Sequence, residues 1–231
     1  MGHTLLLSLW MLAAMSFTAC GCDDRTIDEP TPDTEIPDSP NENPNNPDAP
    51  NTPSDSKILV VYFSRTGYNY NSSMQPTGEW LDVGHTARVA GFIAELTGGD
   101  TFEILPAVPY PDNYSETVAI ARDELNSNAR PEILNAFDNI DEYDTVFIGS
   151  PIWHGAVPMI IRTFYESYDL AGKTLVPFST HAGSGLGNCE SVAKSYYPDN
   201  TVLSGLAVQG TSSANSRGTV EEWLKRIGII E

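Results

Sequence analysis

Residues 57–231 predict a doubly wound α/β fold, a five-stranded parallel sheet with helices on both faces. Three observations carry this expectation. The stretch KILVVYF at 57–63 is apolar on both of its alternating faces, as strands buried inside parallel sheets are. Strand-like and helix-like patterns then alternate to the last residue, which calls for parallel pairing with right-handed crossovers. Three of the strands run into loops rich in hydroxyls and glycine, at the carboxyl ends where open α/β sheets bind ligands.

Taken in order, the first strand covers 57–63. A helix follows Thr86, with Val89, Phe92, Ile93 and Leu96 at helical spacing and Gly98-Gly99 to stop it. The second strand lies at about 101–105, and a polar helix near 114–129 follows the PYPDNY loop. Thr145 to Gly149 form the third strand, ahead of a helix whose Val157, Ile160, Ile161, Phe164 and Tyr168 make a buried stripe. A fourth strand covers 174–179 and a last one lies near 201–208. Val220, Trp223, Leu224 and Ile227 mark the apolar face of the closing helix. No internal repeat is present.

The loop after the first strand, Ser64-Arg65-Thr66-Gly67, presents hydroxyls and backbone N–H groups. Neither Gly-Lys-Ser/Thr nor Gly-x-Gly-x-x-Gly occurs there, so a nucleoside triphosphate loop and a dinucleotide turn are excluded. A neutral, hydroxyl-lined cradle suits the monophosphate of FMN. Gly183-Ser184-Gly185-Leu186-Gly187 imitates a dinucleotide fingerprint but follows the fourth strand, and Ala182 rules out a nucleophile elbow. His85, His154 and His181 fall one in each loop. Three imidazoles could bind a transition metal, yet each already belongs to a loop motif, so hydrogen bonding or packing is expected, with no metal and no catalytic side chain.

These loops resemble those of a known family. Ser64-Arg65-Thr66-Gly67 after VVYF is similar to the phosphate loop of flavodoxins. Gly84-His85-Thr86, PAVPYPDNY at 106–114, IGSPIWHGAVP at 148–158, PFSTHAGSGLG at 177–187 and the closing VEEWLKRIGI resemble flavodoxin-like proteins of gut anaerobes. The resemblance covers nearly all of 57–231 and implies strand order 2-1-3-4-5, with the crevice where strands one and three diverge. It also implies non-covalent FMN. Ser64, Arg65, Thr66 and Gly67 would hold the phosphate, with His85 and Thr86 closing the cradle. Pro151, Ile152, Trp153, His154 and Gly155 would border the flavin, with Trp153 stacked on it and the Gly155 peptide near N5. Thr180, His181, Gly183, Ser184 and Gly185 would line the pyrimidine edge.

An insertion between Tyr68 and Val83, which most flavodoxins lack, predicts a split cradle: Ser64, Thr66 and Gly67 on one wall, Thr86 and the helix N-terminus on the other. Thr86 could equally be a helix cap, and Trp153 a core residue. His154 stands where the family often has a second aromatic, so Tyr68 or Trp80 is the candidate for the opposite face.

Residues 4–19 form an apolar run suited to a signal peptide. It has no Lys or Arg ahead of it, a departure from the usual pattern. Phe17-Thr18-Ala19-Cys20 resembles a bacterial lipoprotein processing site, giving residues 1–19 as signal and Cys20 as the lipidated residue. Cys22 competes with it, and a plainly cleaved secretory signal is the other reading. Residues 23–56 hold ten acidic residues, one arginine and eight prolines, about half of the net charge of −19. Such a segment cannot bury enough apolar surface to fold, so 20–56 reads as a lipid-bearing, disordered tether. The expected location is the cell envelope, in the periplasm or at the outer membrane.

An acidic domain does not seek nucleic acid. Cys189 is the sole cysteine beyond the signal region, which excludes a disulfide framework and suggests a small buried hydrophobe, a redox thiol being the alternative. The expected function is electron transfer by FMN between redox partner proteins. Two alternatives stay open: an FMN-dependent NAD(P)H reductase of quinones or nitro compounds, and a flavin-free binding module on the same fold.

Overall fold

The computed structural model describes residues 56–70 and 76–231. The apolar N-terminal run, Cys20, Cys22 and the acidic tether lie outside the described residues. Among those described, no helix is long and apolar enough to cross a membrane.

The elements run β1 (Ile58–Tyr62), β2 (Gly67–Tyr70), β3 (Pro76–Leu81), α1 (His85–Thr97), β4 (Asp100–Glu103), α2 (Tyr114–Ser127), β5 (Thr145–Pro151), α3 (Met159–Ser167), β6 (Thr174–His181), α4 (Cys189–Tyr196), β7 (Leu206–Gln209) and α5 (Arg217–Arg226). The main sheet has the order β4-β1-β5-β6-β7 and every pairing in it is parallel. Numbered along that sheet alone, this is 2-1-3-4-5, as the resemblance implies.

Alternation along each strand sends side chains to two separate cores. Leu59, Val61 and Phe63 with Val146, Ile148 and Leu175 pack under α3 and α4, against Ile160, Ile161, Phe164 and Val192. Val60, Phe147, Val176 and Phe178 pack the opposite way, against Val89 and Ile93 of α1 and Val220, Trp223 and Leu224 of α5. β1 has a core on each side and no solvent face, hence the unbroken apolar run at 58–63. α1 ends where Gly98 takes a left-handed conformation at φ 68°. α2 begins at Asn113, whose side chain accepts the N–H of Glu116.

Two expectations are corrected. The last strand is 206–209, not 201–208. Leu175 donates its N–H to Thr201 (2.8 Å) and accepts that of Leu203 (3.0 Å), and the next donor in that ladder is residue 177. Pro177 has no N–H, so pairing lapses there and resumes at Phe178 with Leu206. The insertion after the phosphate loop is an antiparallel hairpin, with Gly67 opposite Leu81 and Tyr68 opposite Trp80. Its two aromatics meet each other edge to face at 5.4 Å and both stay exposed. Neither lines the cavity described below.

Candidate functional site

A cavity of about 380 Å³ opens at the carboxyl edge of the sheet, a size suited to a small-molecule ligand. The loops after β1, β5 and β6 all contribute to its walls. Of the residues singled out in the sequence, Ser64, Arg65, His85, Thr86, Pro151, Ile152, Trp153, His154, Gly155, Thr180, His181 and Ser184 line it. Thr66, Gly67, Gly183 and Gly185 do not: Thr66 is exposed, and Gly67 packs against Asp112.

The two halves of the expected cradle touch. Gly84 sits directly before α1 with an ordinary extended backbone (φ −65°), so its glycine is required for space and not for conformation. A Cβ there would lie 2.2 Å from Ser64 Oγ and 2.5 Å from the Arg65 carbonyl oxygen. This approach lets Ser64 Oγ accept the Ala87 N–H at 3.1 Å, serving as the side-chain cap that Gly84 lacks. The hairpin therefore leaves loop and helix in contact, so the two expected walls of the cradle stand side by side. With its lone pair engaged, the Ser64 hydroxyl keeps its proton for a ligand, beside the partial positive charge of a helix N-terminus.

Thr86 is buried, and its Oγ1 lies 2.7 Å from Thr180 Oγ1. In such a pair one hydroxyl donates to the other, and the second hydroxyl's proton is left for the cavity. Arg65 is tied down by carbonyls: Nη1 donates to Tyr68 (2.7 Å), and Nη2 to Pro111 (2.7 Å) and Asp112 (2.6 Å). Its buried Nε has no acceptor among the described residues. Burial lowers its pKa from the usual arginine value, with Asp112 opposing.

The loop after β5 is a two-residue reverse turn. Trp153 and Ala156 exchange both backbone hydrogen bonds (2.9 and 3.0 Å), and the residues between them have φ 52° (His154) and 78° (Gly155). Two positive φ values in succession define a type I′ turn, which glycine enters without strain and histidine does not. His154 is held there by α2: Nε2 faces the Val118 carbonyl at 2.9 Å and Nδ1 faces Arg122 Nη2 at 2.9 Å. A carbonyl only accepts and a guanidinium only donates, so Nε2 carries the proton and Nδ1 is bare.

Trp153 lines the cavity and also packs on the core beneath. Its ring meets Phe63 edge to face at 5.4 Å and Tyr110 at 4.9 Å. Tyr110 is in turn fixed by donating to the Glu124 carboxylate at 2.9 Å. Burial raises the Glu124 pKa, and the tyrosine's hydrogen bond works against that rise. His85 pairs through Nδ1 with Ser213 Oγ (2.8 Å), and His181 Nδ1 accepts the Gly183 N–H (3.0 Å). Burial lowers the His181 pKa. The three histidines thus have separate partners. Cys189 is buried at the start of α4, and burial pushes its thiol up to about 12.

Two stretches of wall escaped the sequence reading. Tyr114, Thr117, Val118, Ala121 and Arg122 line the cavity from α2, and Gln209, Gly210 and Thr211 from the end of β7. Spacing at 114, 117/118 and 121/122 is one helical face, so the signal was present. Its residues are too small and mixed to mark a face as functional. No Asp or Glu among the described residues lines the cavity, although the whole chain has a net charge of −19. The negative surroundings that net charge suggests are absent from the pocket wall itself.

Residues 80–227 match the family model described as Flavodoxin. No curated protein sequence matches the chain. Among solved structures, a protein from Bacteroides eggerthii assigned as a flavoprotein is 36% identical with a TM-score of 0.60, the match covering 75% of this chain and 98% of that one. Another so assigned, from Bacteroides uniformis, is 34% identical with a TM-score of 0.58, over 74% of this chain and 98% of its own. A flavoprotein from Lactobacillus acidophilus in complex with FMN is 24% identical with a TM-score of 0.47, over 71% and 99%. The family match takes in four of the five strands of the main sheet, and the Bacteroides eggerthii protein is more than a third identical along three quarters of the chain; on these grounds this chain belongs to the flavodoxin family.

Proposed function

We propose that this chain binds FMN non-covalently in the cavity and transfers electrons between redox partner proteins outside the cytoplasm, held to a membrane by lipid on Cys20. The observation that carries the cofactor is the seating of Ser64 against the first turn of α1, where Gly84 leaves no room for a side chain. That arrangement collects hydroxyl and helix N-terminal donors at one point, with a half-buried arginine beside them. The donor set fits a phosphate monoester.

In this reading Ser64 Oγ donates to the phosphate, and the hydroxyl left over from the Thr86–Thr180 pair adds a second donor. Trp153 offers its ring as a stacking surface, braced from below by Phe63 and Tyr110 so that it does not swing away. Gly155 has no atom within 4 Å of where a side chain would stand, so its peptide is free to turn toward the ring. FMN, when bound, supplies the one- and two-electron chemistry.

The visible spectrum of the purified protein tests the cofactor. Flavin bands, or their appearance on titrating FMN into colourless protein with riboflavin binding far more weakly, are the expected result. Protein that stays colourless and ignores added FMN defeats the reading in favour of a flavin-free binding module. Steady-state oxidation of NAD(P)H in the presence of a quinone or nitro compound would replace the carrier role by a reductase. The tether is checked by mass spectrometry of the membrane fraction, where a lipid-modified Cys20 at the N-terminus is expected; lipid on Cys22, or soluble protein without lipid, refutes it.

A further inference from the structure

We propose that Arg122 is the receptor for a carboxylate of a small organic acid that enters the cavity from the α2 side. Arg122 lines the cavity and is exposed, so it stands at the rim. Of its five N–H donors one is engaged, Nη2 to His154 Nδ1, and the others have no acceptor among the described residues. The partner is informative. An arginine that only stabilises a fold is commonly held by a carboxylate, which cancels its charge; Arg130 with Glu166 is the local example. Arg122 is held instead by a neutral ring nitrogen, which orients the guanidinium and leaves its positive charge uncompensated.

The neutrality of that nitrogen is itself built in. The Val118 carbonyl takes the Nε2 proton of His154, so Nδ1 faces Arg122 as an acceptor. His154 keeps a positive φ of 52° while making both contacts, and backbone strain of this kind persists where surrounding contacts enforce it. No carboxylate among the described residues lines the cavity to compete for Arg122.

The fork of a guanidinium matches the two oxygens of a carboxylate. A phosphate has its own cradle at Ser64 and α1, where Arg65 spends its Nη donors on three carbonyls. This assignment of the phosphate is the one respect in which the proposal rests on the FMN reading.

Benzoate is the probe and benzamide its neutral control, titrated by calorimetry into the protein saturated with FMN and into the flavin-free protein. Benzoate is expected to bind and benzamide not to; R122Q should weaken benzoate by about tenfold or more, the loss of at least one charged hydrogen bond, and R122K by less. FMN affinity is measured on the same samples. No benzoate binding, equal binding of benzamide, or R122Q binding benzoate as the wild type does, each overturns the proposal. A loss of FMN affinity in R122Q equal to the loss for benzoate also overturns it, placing Arg122 in the flavin's own site. Arg122-dependent benzoate binding by a protein that takes no FMN would uphold the carboxylate site and sink the flavin reading.

Discussion

Gly84→Ala adds one methyl group at the point where the phosphate loop and α1 meet, and the structure sets its cost. The new Cβ would lie 2.2 Å from Ser64 Oγ, 2.5 Å from the Arg65 carbonyl oxygen and 3.0 Å from the Arg65 carbonyl carbon. The Ser64 hydroxyl can rotate away, but only by releasing the Ala87 N–H, a cap loss of about 1 kcal/mol. The Arg65 carbonyl is backbone and has to shift by roughly an ångström, an overpacking cost of about 1–3 kcal/mol. Together these come to about 2–4 kcal/mol, and at about 2–4 °C per kcal/mol for a domain of this size the melting temperature should fall by roughly 4–16 °C.

The same shift moves the Ser64 donor off the helix N-terminus, so FMN should bind at least tenfold more weakly, about the value of one charged hydrogen bond. Thermal melts followed by circular dichroism and FMN titrations by flavin fluorescence read both effects. A second variant sharpens the test. Combining S64A with G84A removes the clashing hydroxyl but also the cap it makes, and leaves the Arg65 carbonyl in place, so it should melt close to G84A and recover none of the affinity. If G84A melts within a degree of the wild type and binds FMN equally well, the loop does not bear on the helix and the cradle argument is wrong.

Three further outcomes are expected. Thr86→Val strands the buried Thr180 hydroxyl, so stability should drop by about 1–3 kcal/mol; FMN should weaken more than riboflavin, and equal weakening of the two flavins would reduce the hydroxyl pair to a fold contact. Trp153→Ala should cost about 1–3 kcal/mol of FMN affinity and move the reduction potentials; unchanged affinity and potentials would leave Trp153 as core packing alone. Cys189, its thiol held up at about 12 by burial, should resist iodoacetamide at pH 8 in the native protein and react once urea unfolds it; rapid native labelling would contradict the buried assignment.

What the sequence by itself determined was whatever repeats along the chain with a local period. Strands buried on both faces show as unbroken apolar runs at 58–63 and 146–148, because each alternate side chain has its own core to enter. Helix faces show at 89–96 and 220–227, and Gly98 marks a stop because it takes up the left-handed turn. From these the alternation of strands and helices followed, while the strand order, and with it the crevice where the loops would gather, was what the resemblance to flavodoxins implied.

Tertiary structure decided what depends on residues distant in sequence meeting in space. Pro177 sits inside a strand that reads as continuous, and only the pairing of β6 with residues 201–203 shows that its missing N–H interrupts the neighbouring ladder. Gly84 looks like a turn glycine until Ser64 is placed 2.2 Å from its missing Cβ, and Ser64 serves as the cap of a helix that begins twenty-one residues later. The Gln209–Thr211 wall and the hold of His154 on Arg122 leave no local mark, since neither is made by a repeating pattern. Period and burial are written locally, each residue answering to its own face of an element. Which donor meets which acceptor across a cleft is set by how finished elements pack, and at this site that packing gathers two arginines, and no carboxylate among the described residues, into the wall of one cavity in an acidic protein.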